Sequence, residues 1–312
     1  MRIAVVDPSR TVLKLVSQLL EAREHSVRCF TDGREALDQI TADHDVDALI
    51  TSMELASMSG VELCRQVRAL ATDGRPIYVV LMSSNYDRRK LIEALGSGAD
   101  DFISKPPAIE ELYARLRAAE RLGDMQRKLY KLAMTDPLTG ALNRRAFFEK
   151  AQNACMRTEA DGVLSTILFD LDHFKSINDD YGHDVGDRVL RVVAGEVTAE
   201  KLMLGRLGGE EFAVLLEGVD VEDAVQVAER LRLRFAGLQL DADGKPVKFT
   251  SSFGVSRWAP GDTIDGILKR ADMALYQAKQ DGRNRVVAAG AAILQLARGT
   301  AEGPMRVRAK AR

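Results

Sequence analysis

Five short apolar runs, each followed by a segment with helical spacing, fill the first 120 residues and restrict what this part of the chain can become. Residues 3–6, 27–30, 48–51, 77–82 and 102–104 read as strands. Between them, Val12, Leu13, Val16, Leu19 and Leu20 mark one helical face, and residues 35–40, 61–70 and 89–95 repeat the pattern. The run at 77–82 is almost continuously apolar, as a central parallel strand covered on both faces should be. Strict alternation of strand and helix predicts an α/β domain with a doubly wound, five-stranded parallel sheet. Its functional residues belong at the C-terminal ends of the strands.

The helix that begins near Ala108 does not stop where such a domain should. Ile109, Leu112, Leu116, Ala119, Leu122, Met125, Leu129 and Leu132 follow at steps 3-4-3-3-3-4-3, a heptad-like stripe with a phase slip around Gly123. With a highly charged opposite face, this stripe predicts a helical stalk that pairs with its copy in a homodimer. A terminal helix followed by a linker is the plainer alternative.

After Asp136-Pro137 a second domain is expected. Its order is helix 145–157, strand 164–169, helix 185–200, a hairpin around RLGGEEFAVLL, helix 221–238, strands within 247–256 and helix 264–280. Helices interleaved with an antiparallel hairpin predict an α+β sheet covered on one side. The Ala/Gly-rich basic tail from Ala288 reads as disordered. The expected divisions are 1–120, 121–134, 135–288 and 289–312.

Composition serves mainly to exclude. A formal net charge of -2 over 312 residues offers no electrostatic case for nucleic acid. Cys29, Cys64 and Cys155 lie far apart without metal spacing and read as reduced core thiols. The opening MRIAVVDPSR has only four apolar residues before Asp7, so no signal peptide is expected, and VVAAGAAILQLA is too short to span a bilayer. No membrane role and a cytoplasmic location are the expectation.

The hairpin raises the chemical question. Glu210 and Glu211 sit side by side behind Gly208 and Gly209, whereas a structural turn would be better served by Asn-Gly or Asp-Gly. Strand 164–169 runs into DLDHFKSINDDYGHDVGD, placing Asp170 and Asp172 at a strand end. If that strand neighbours the hairpin, Asp170 faces Glu210 and Glu211, and a cation must neutralise them. Oxygen ligands without His or Cys favour Mg²⁺ or Mn²⁺, which keep phosphate oxygens as further ligands. A turn at His173, Phe174 and Lys175 would then present N–H groups and an ammonium to phosphates, and Lys279 and Arg283 add two cations. Gly208 and Gly209 would let the substrate approach the backbone. Together these groups describe phosphoryl transfer on a nucleotide.

TDPLTGALNRRAF, DLDHFKSINDDYGHDVGD, RLGGEEF, SFGV and ADMALYQAKQDGRNRV, in this order over about residues 133–288, resemble a GGDEF-domain diguanylate cyclase. The resemblance implies condensation of two GTP into cyclic di-GMP and two pyrophosphates in a two-fold dimer. It implies that Asp170, Leu171, Glu210 and Glu211 hold two divalent ions per site, and that Glu211 helps remove the 3′-hydroxyl proton. Asn178 and Asp187 would read guanine, while Lys175, Lys279 and Arg283, with Phe174, Gly208 and Gly209 alongside, would hold the triphosphate. Asp136 and Arg144 are given structural roles, Asp172 a supporting one, and His183 the organisation of its turn. The family's Arg-x-x-Asp product-inhibition site falls here on Ala199 and Leu202, so inhibition through it is expected to be absent.

The front domain resembles a two-component receiver, through LMSSN and ISKPP, which supply Ser83 and Lys105. Its strand-end acids reduce to Asp7, and within DALITSMELASMSGVEL the phosphoacceptor position holds Ser52, with Glu54 pointing elsewhere. The expectation is a degenerate receiver that takes no aspartyl phosphate and serves dimerisation or a protein partner. Two other readings compete with an active cyclase: a silent module that senses GTP or cyclic di-GMP, and a purely structural dimerisation protein. Retention of every acid and cation named above favours catalysis.

Overall fold

The computed structural model describes residues 1–290 except 44, 71–75, 85–87, 159–161 and 243. The chain forms two compact units, Met1–Lys131 and Leu132 onward.

The first unit alternates β1 (Arg2–Val6), α1 (Arg10–Glu21), β2 (Ser26–Phe30), α2 (Gly33–Ala42), β3 (Ala48–Ser52), α3 (Gly60–Leu70), β4 (Tyr78–Ser83), α4 (Arg88–Gly96), β5 (Asp101–Ser104) and α5 (Ile109–Met134). The strands are all parallel in the order β2-β1-β3-β4-β5. Period-2 alternation splits the core: Ala4, Val6, Leu49 and Leu81 pack toward α2, α3 and α4, whereas Ile3, Val5, Ile50 and Val80 pack toward α1 and α5. The expected doubly wound sheet is therefore present. Ser9 and Asp32 cap α1 and α2 with their side chains, which sets where those helices start.

α5 runs without a break through Gly123, and its stripe divides in two. Leu112, Leu116 and Ala119 are buried, but Met125, Leu129 and Leu132 are 60%, 60% and 72% exposed.

The second unit contains β6 (Leu142–Asn143), α6 (Arg144–Arg157), β7 (Leu164–Leu171), α7 (Phe174–Tyr181), α8 (His183–Ala199), β8 (Met203–Gly208), β9 (Glu211–Glu217), α9 (Val221–Gly237), β10 (Leu240–Ala242), β11 (Lys245–Val247), β12 (Ser251–Arg257), α10 (Ile264–Gln280) and β13 (Val286–Ala288). Six strands make one sheet in the order β13-β12-β7-β9-β8-β6. The expected one-sided cover is corrected. All eight residues of β7 are buried, with Ile167, Phe169 and Leu171 in a core shared with α7, α8 and α9, and Leu164 and Leu168 in a core shared with α6 and α10. Helices cover both faces.

Three expectations change in detail. The turn foreseen at His173–Lys175 is the start of helix α7. Ala288, placed at the head of a disordered tail, ends strand β13, which pairs in parallel with β12; residues 291–312 of that tail lie outside the described residues. Cys64 and Cys155 are buried, but Cys29 is exposed on β2 and is no core thiol. Among the described residues no helix is long and apolar enough to cross a membrane.

Candidate active site

β7 pairs antiparallel with both β9 and β12, and the register sets Asp170 opposite Glu211 on one side and Ser252 on the other. Asp170 lies on the α6 and α10 side of the sheet, with its side chain only 10% exposed. Lys279, in the last turn of α10, reaches it with Nζ 2.9 Å from Oδ1. Burial pushes the Asp170 carboxyl up to about 6; the Lys279 ammonium restrains the rise, while Glu210 and Glu211 add to it. Glu211 is exposed, yet the protein around it displaces enough water to raise its carboxyl, against the pull of Lys279 and with help from Asp272 and Glu210.

Such an arrangement opposes folding when ionised. Asp170 titrates near 6 in the fold and near 3.8 in the free side chain, so between these values the folded chain holds more protons than the unfolded one, and stability falls as pH rises. Without divalent cations, Asp170→Asn is expected to flatten this dependence. Its unfolding free energy relative to the parent should grow by up to about 3 kcal/mol between pH 4 and pH 7. Parallel melting curves for the two proteins across that range would contradict the burial argument.

The hairpin between β8 and β9 has a register shift between Arg206 and Gly208. Gly208 and Gly209 take φ of 156° and 54°, and a Cβ on either would meet nothing within 4 Å. Their backbone needs glycine, and the space beside them is open. Arg206 holds the turn by donating from Nε to the Gly209 carbonyl at 2.9 Å and from Nη1 to Asp136 Oδ1 at 3.0 Å. Burial works against ionising Asp136, but the Thr139 hydroxyl and Arg206 outweigh it and hold the carboxyl below its usual range. Asp136 is thus a buttress of the acidic turn. Arg144 lies over the Phe148 ring, 5.4 Å from its centroid, and close enough to Glu211 to pull its carboxyl down.

Beyond β7 the chain turns at His173, φ 55°, into α7, whose first N–H groups have no side-chain cap. Phe174 is buried and Lys175 exposed. Asn178 packs so tightly on α8 that a Cβ on Gly186 would stand 1.9 Å from its Oδ1, which brings the amide beside the backbone that carries Asp187. Asp187 stands 3.9 Å from Arg191. His183 is the exposed first residue of α8; Gly182, φ 85°, makes that turn instead. Arg283 is exposed just past α10, with φ 65°.

The structure therefore brings Asp170, Glu210, Glu211 and Lys279 together; Phe174, Lys175 and Asn178 lie on α7, Asp187 on α8 and Arg283 just past α10. Asp272 was not anticipated. It lies seven residues before Lys279 on the same helical face, a spacing visible in the sequence, and burial raises its carboxyl too. The donor chemistry fits a hard divalent cation: acids face each other across adjacent strands, and Leu171, its side chain buried, offers only a backbone carbonyl. Among the described residues no three such side chains already converge on one point.

In the first unit, Asp7 and Ser52 are buried at the ends of β1 and β3. Lys105 Nζ lies 2.6 Å from Asp7 Oδ2 and donates to Ser52 Oγ at 2.6 Å. Ser52 Oγ in turn donates to the Glu54 carbonyl and accepts from the Glu54 N–H. The Glu54 carboxylate points outward to Lys90, as expected. Ser83, at the end of β4, is buried.

Residues 133–285 match the diguanylate cyclase GGDEF domain family, and residues 3–117 match the response regulator receiver domain family. The response regulator PleD of Caulobacter vibrioides is 34% identical over 305 residues, covering 92% of this chain and 65% of that protein. Diguanylate cyclase DgcP of Pseudomonas aeruginosa is 41% identical over 158 residues, covering 49% of this chain and 24% of that protein. The solved coiled coil and GGDEF domain of DgcB from Caulobacter crescentus, in complex with c-di-GMP, is similar at TM-score 0.53 and 33% identity, over 58% of this chain and 98% of that one. The chain thus spans 65% and 24% of the lengths of the two curated relatives. By its separated motifs, its six-stranded sheet with opposed acids and these matches, this chain belongs to the GGDEF-domain diguanylate cyclase family, with a response-regulator receiver domain in front.

Proposed function

We propose that the chain condenses two GTP into cyclic di-GMP, releasing two pyrophosphates. The observation that carries this reading is the buried Asp170, opposite Glu211 in register and 2.9 Å from Lys279. In each half-reaction the 3′-oxygen of one GTP bonds to the α-phosphorus of the other, the bond to the β-phosphate oxygen breaks, and pyrophosphate departs. Glu211 accepts the 3′-hydroxyl proton, a task suited to a carboxyl raised above its ordinary range. Asn178 and Asp187 present an amide and a carboxylate to the guanine edge. Lys175, the open start of α7, Lys279 and Arg283 hold the triphosphate. Two Mg²⁺ or Mn²⁺ ions per site, held by Asp170, Glu210, Glu211 and the Leu171 carbonyl, would neutralise the charge of acids and phosphates.

Each domain binds one GTP, so two copies must meet with two-fold symmetry. The exposed Met125, Leu129 and Leu132 on α5 support pairing of that helix with its copy. We read residues 1–120 as the regulatory part, 121–134 as the stalk and 135–288 as the catalytic part. The hydroxyl of Ser52 already gives its proton to Glu54 and accepts from Lys105, which supports a receiver that takes no aspartyl phosphate. Leu202, packed partly against the core, and Ala199 support loss of the product-inhibition site.

The test is to incubate the purified chain with GTP and Mg²⁺, without any phosphodonor, and to look for cyclic di-GMP by mass spectrometry. Product is expected, and added cyclic di-GMP should inhibit only weakly. A folded dimer that binds GTP without turning it over would favour a sensing module. Potent noncompetitive inhibition would contradict loss of the product site.

A further inference from the structure

Asp172 is 4% exposed, one residue beyond β7, and none of the chemistry above uses it. Its own N–H continues the sheet by donating to the Thr250 carbonyl at 2.9 Å. Oδ1 accepts from Ser252 Oγ at 2.7 Å; Oδ2 accepts from Thr250 Oγ1 at 2.7 Å and from the Asn284 N–H at 3.0 Å. One buried side chain thus ties the end of β7 to β12 and to the loop after α10. It meets three donors, which calls for an acceptor-only group.

The loop it holds is unusual. Gly282, Arg283 and Asn284 take φ of 116°, 65° and 44°, three left-handed residues in succession, and two of them carry a Cβ. L-residues adopt that conformation only where the surroundings over-determine it. Here the Arg283 N–H bonds the Ala278 carbonyl at 3.0 Å, which closes α10, and Arg232 Nη1 holds the Asn284 side chain at 3.0 Å. Phe253 donates to the Arg285 carbonyl at 2.9 Å, and Arg285 Nε to the Arg283 carbonyl at 3.2 Å. Among the described residues, the bond from Asn284 N–H to Asp172 is the one that ties residues 282–284 to the segment just beyond the strand that carries Asp170. We infer that Asp172 is a positioning residue: by gripping the Asn284 amide it fixes Arg283 relative to Asp170, and so sets the span between the acidic end of the site and the cation that holds the outer phosphates. This rests on the proposed role of Arg283 as a triphosphate ligand.

Asp172→Ala, in the full-length chain, should raise the Kd for GTP about tenfold while leaving that for GMP, which lacks the β- and γ-phosphates, unchanged. KM should rise more than kcat falls. Asp172→Asn, which can turn one oxygen to the Asn284 N–H while Ser252 reverses its hydroxyl, should recover most of the loss. The double variant Asp172→Ala with Arg283→Ala should bind GTP no more weakly than Arg283→Ala alone, because the first residue acts through the second. Multiplying effects in the double variant, or GTP and GMP affinities that fall together, would overturn the inference. Should the alanine variant not fold, Asp172→Asn and Asp172→Glu decide: GTP affinity is expected to fall in step with the exchange protection of the Asn284 amide, and affinity lost while protection holds, or protection lost while affinity holds, overturns the assignment. A parent chain that binds no GTP would instead sink the reading on which the inference rests.

Discussion

Glu211→Ala is expected to lower cyclic di-GMP formation by roughly a thousandfold or more while leaving the fold intact, the loss typical of removing a general base and a charge-neutralising ligand together. Glu211 opens β9 with its Cα paired to that of Asp170, and in the mechanism proposed above its carboxylate takes up the 3′-hydroxyl proton. Glu211 is exposed, so alanine leaves no cavity, and Phe212 beside it stays in the core. Removing the charge also relieves one of the pressures that raise the Asp170 carboxyl. Product formation by mass spectrometry should therefore collapse while the melting temperature stays level or rises slightly. Normal turnover would end the assignment of Glu211; lost turnover in an unfolded protein would refute the claim that its role is chemical.

Phe169→Ala should have the largest effect on stability. Phe169 precedes Asp170 and points to the opposite face of the sheet, fully buried. Its ring stacks on Phe212 at 5.2 Å and on Phe253 at 5.1 Å, and meets Phe235 of α9 at 5.7 Å. Truncation removes the ring that joins three strands and a helix, at a cost of about 3–5 kcal/mol. For a domain of this size that is a fall of roughly 6–20 °C in melting temperature. The transition of the first unit should not move, because this core contains only residues of the second unit. A shift of a degree or two would mean that these rings do not set the register of β7, β9 and β12. Activity should fall as well, since that register places Asp170 opposite Glu211.

Much of this architecture is legible in the chain. Five strands and five helices of the first unit are visible as apolar runs and helical faces, and their observed limits differ from the expected ones by a few residues at each end. The glycines and paired acids of the hairpin announce a site, because a plain turn has no use for adjacent carboxylates. Other features are too short or too polar to declare themselves. α7 is eight residues of mostly polar sequence closed by Gly182, and its apolar positions reduce to Phe174 and Ile177, so it reads as a turn. β13 has three residues, and only its pairing with β12 makes it a strand. The stripe on α5 runs on in sequence past its phase slip, yet Leu112, Leu116 and Ala119 are buried while Met125, Leu129 and Leu132 are exposed, because only the earlier part packs on the first sheet.

What the sequence by itself determined is the set of local elements and the chemical kind of the site: periods of 2 and 3.6, helix caps, left-handed glycines, hard oxygen donors and nearby cations. Each of these depends on residues within a few positions of one another, so it can be read without knowing the fold. Only the tertiary structure decided which groups meet. The strand register set Asp170 opposite Glu211, the packing of α10 set Lys279 on Asp170, and Asp172 found the amide of Asn284, 112 residues away. Such meetings depend on sheet order and on which face of each strand is buried, and those are settled by packing among distant segments rather than by any one of them.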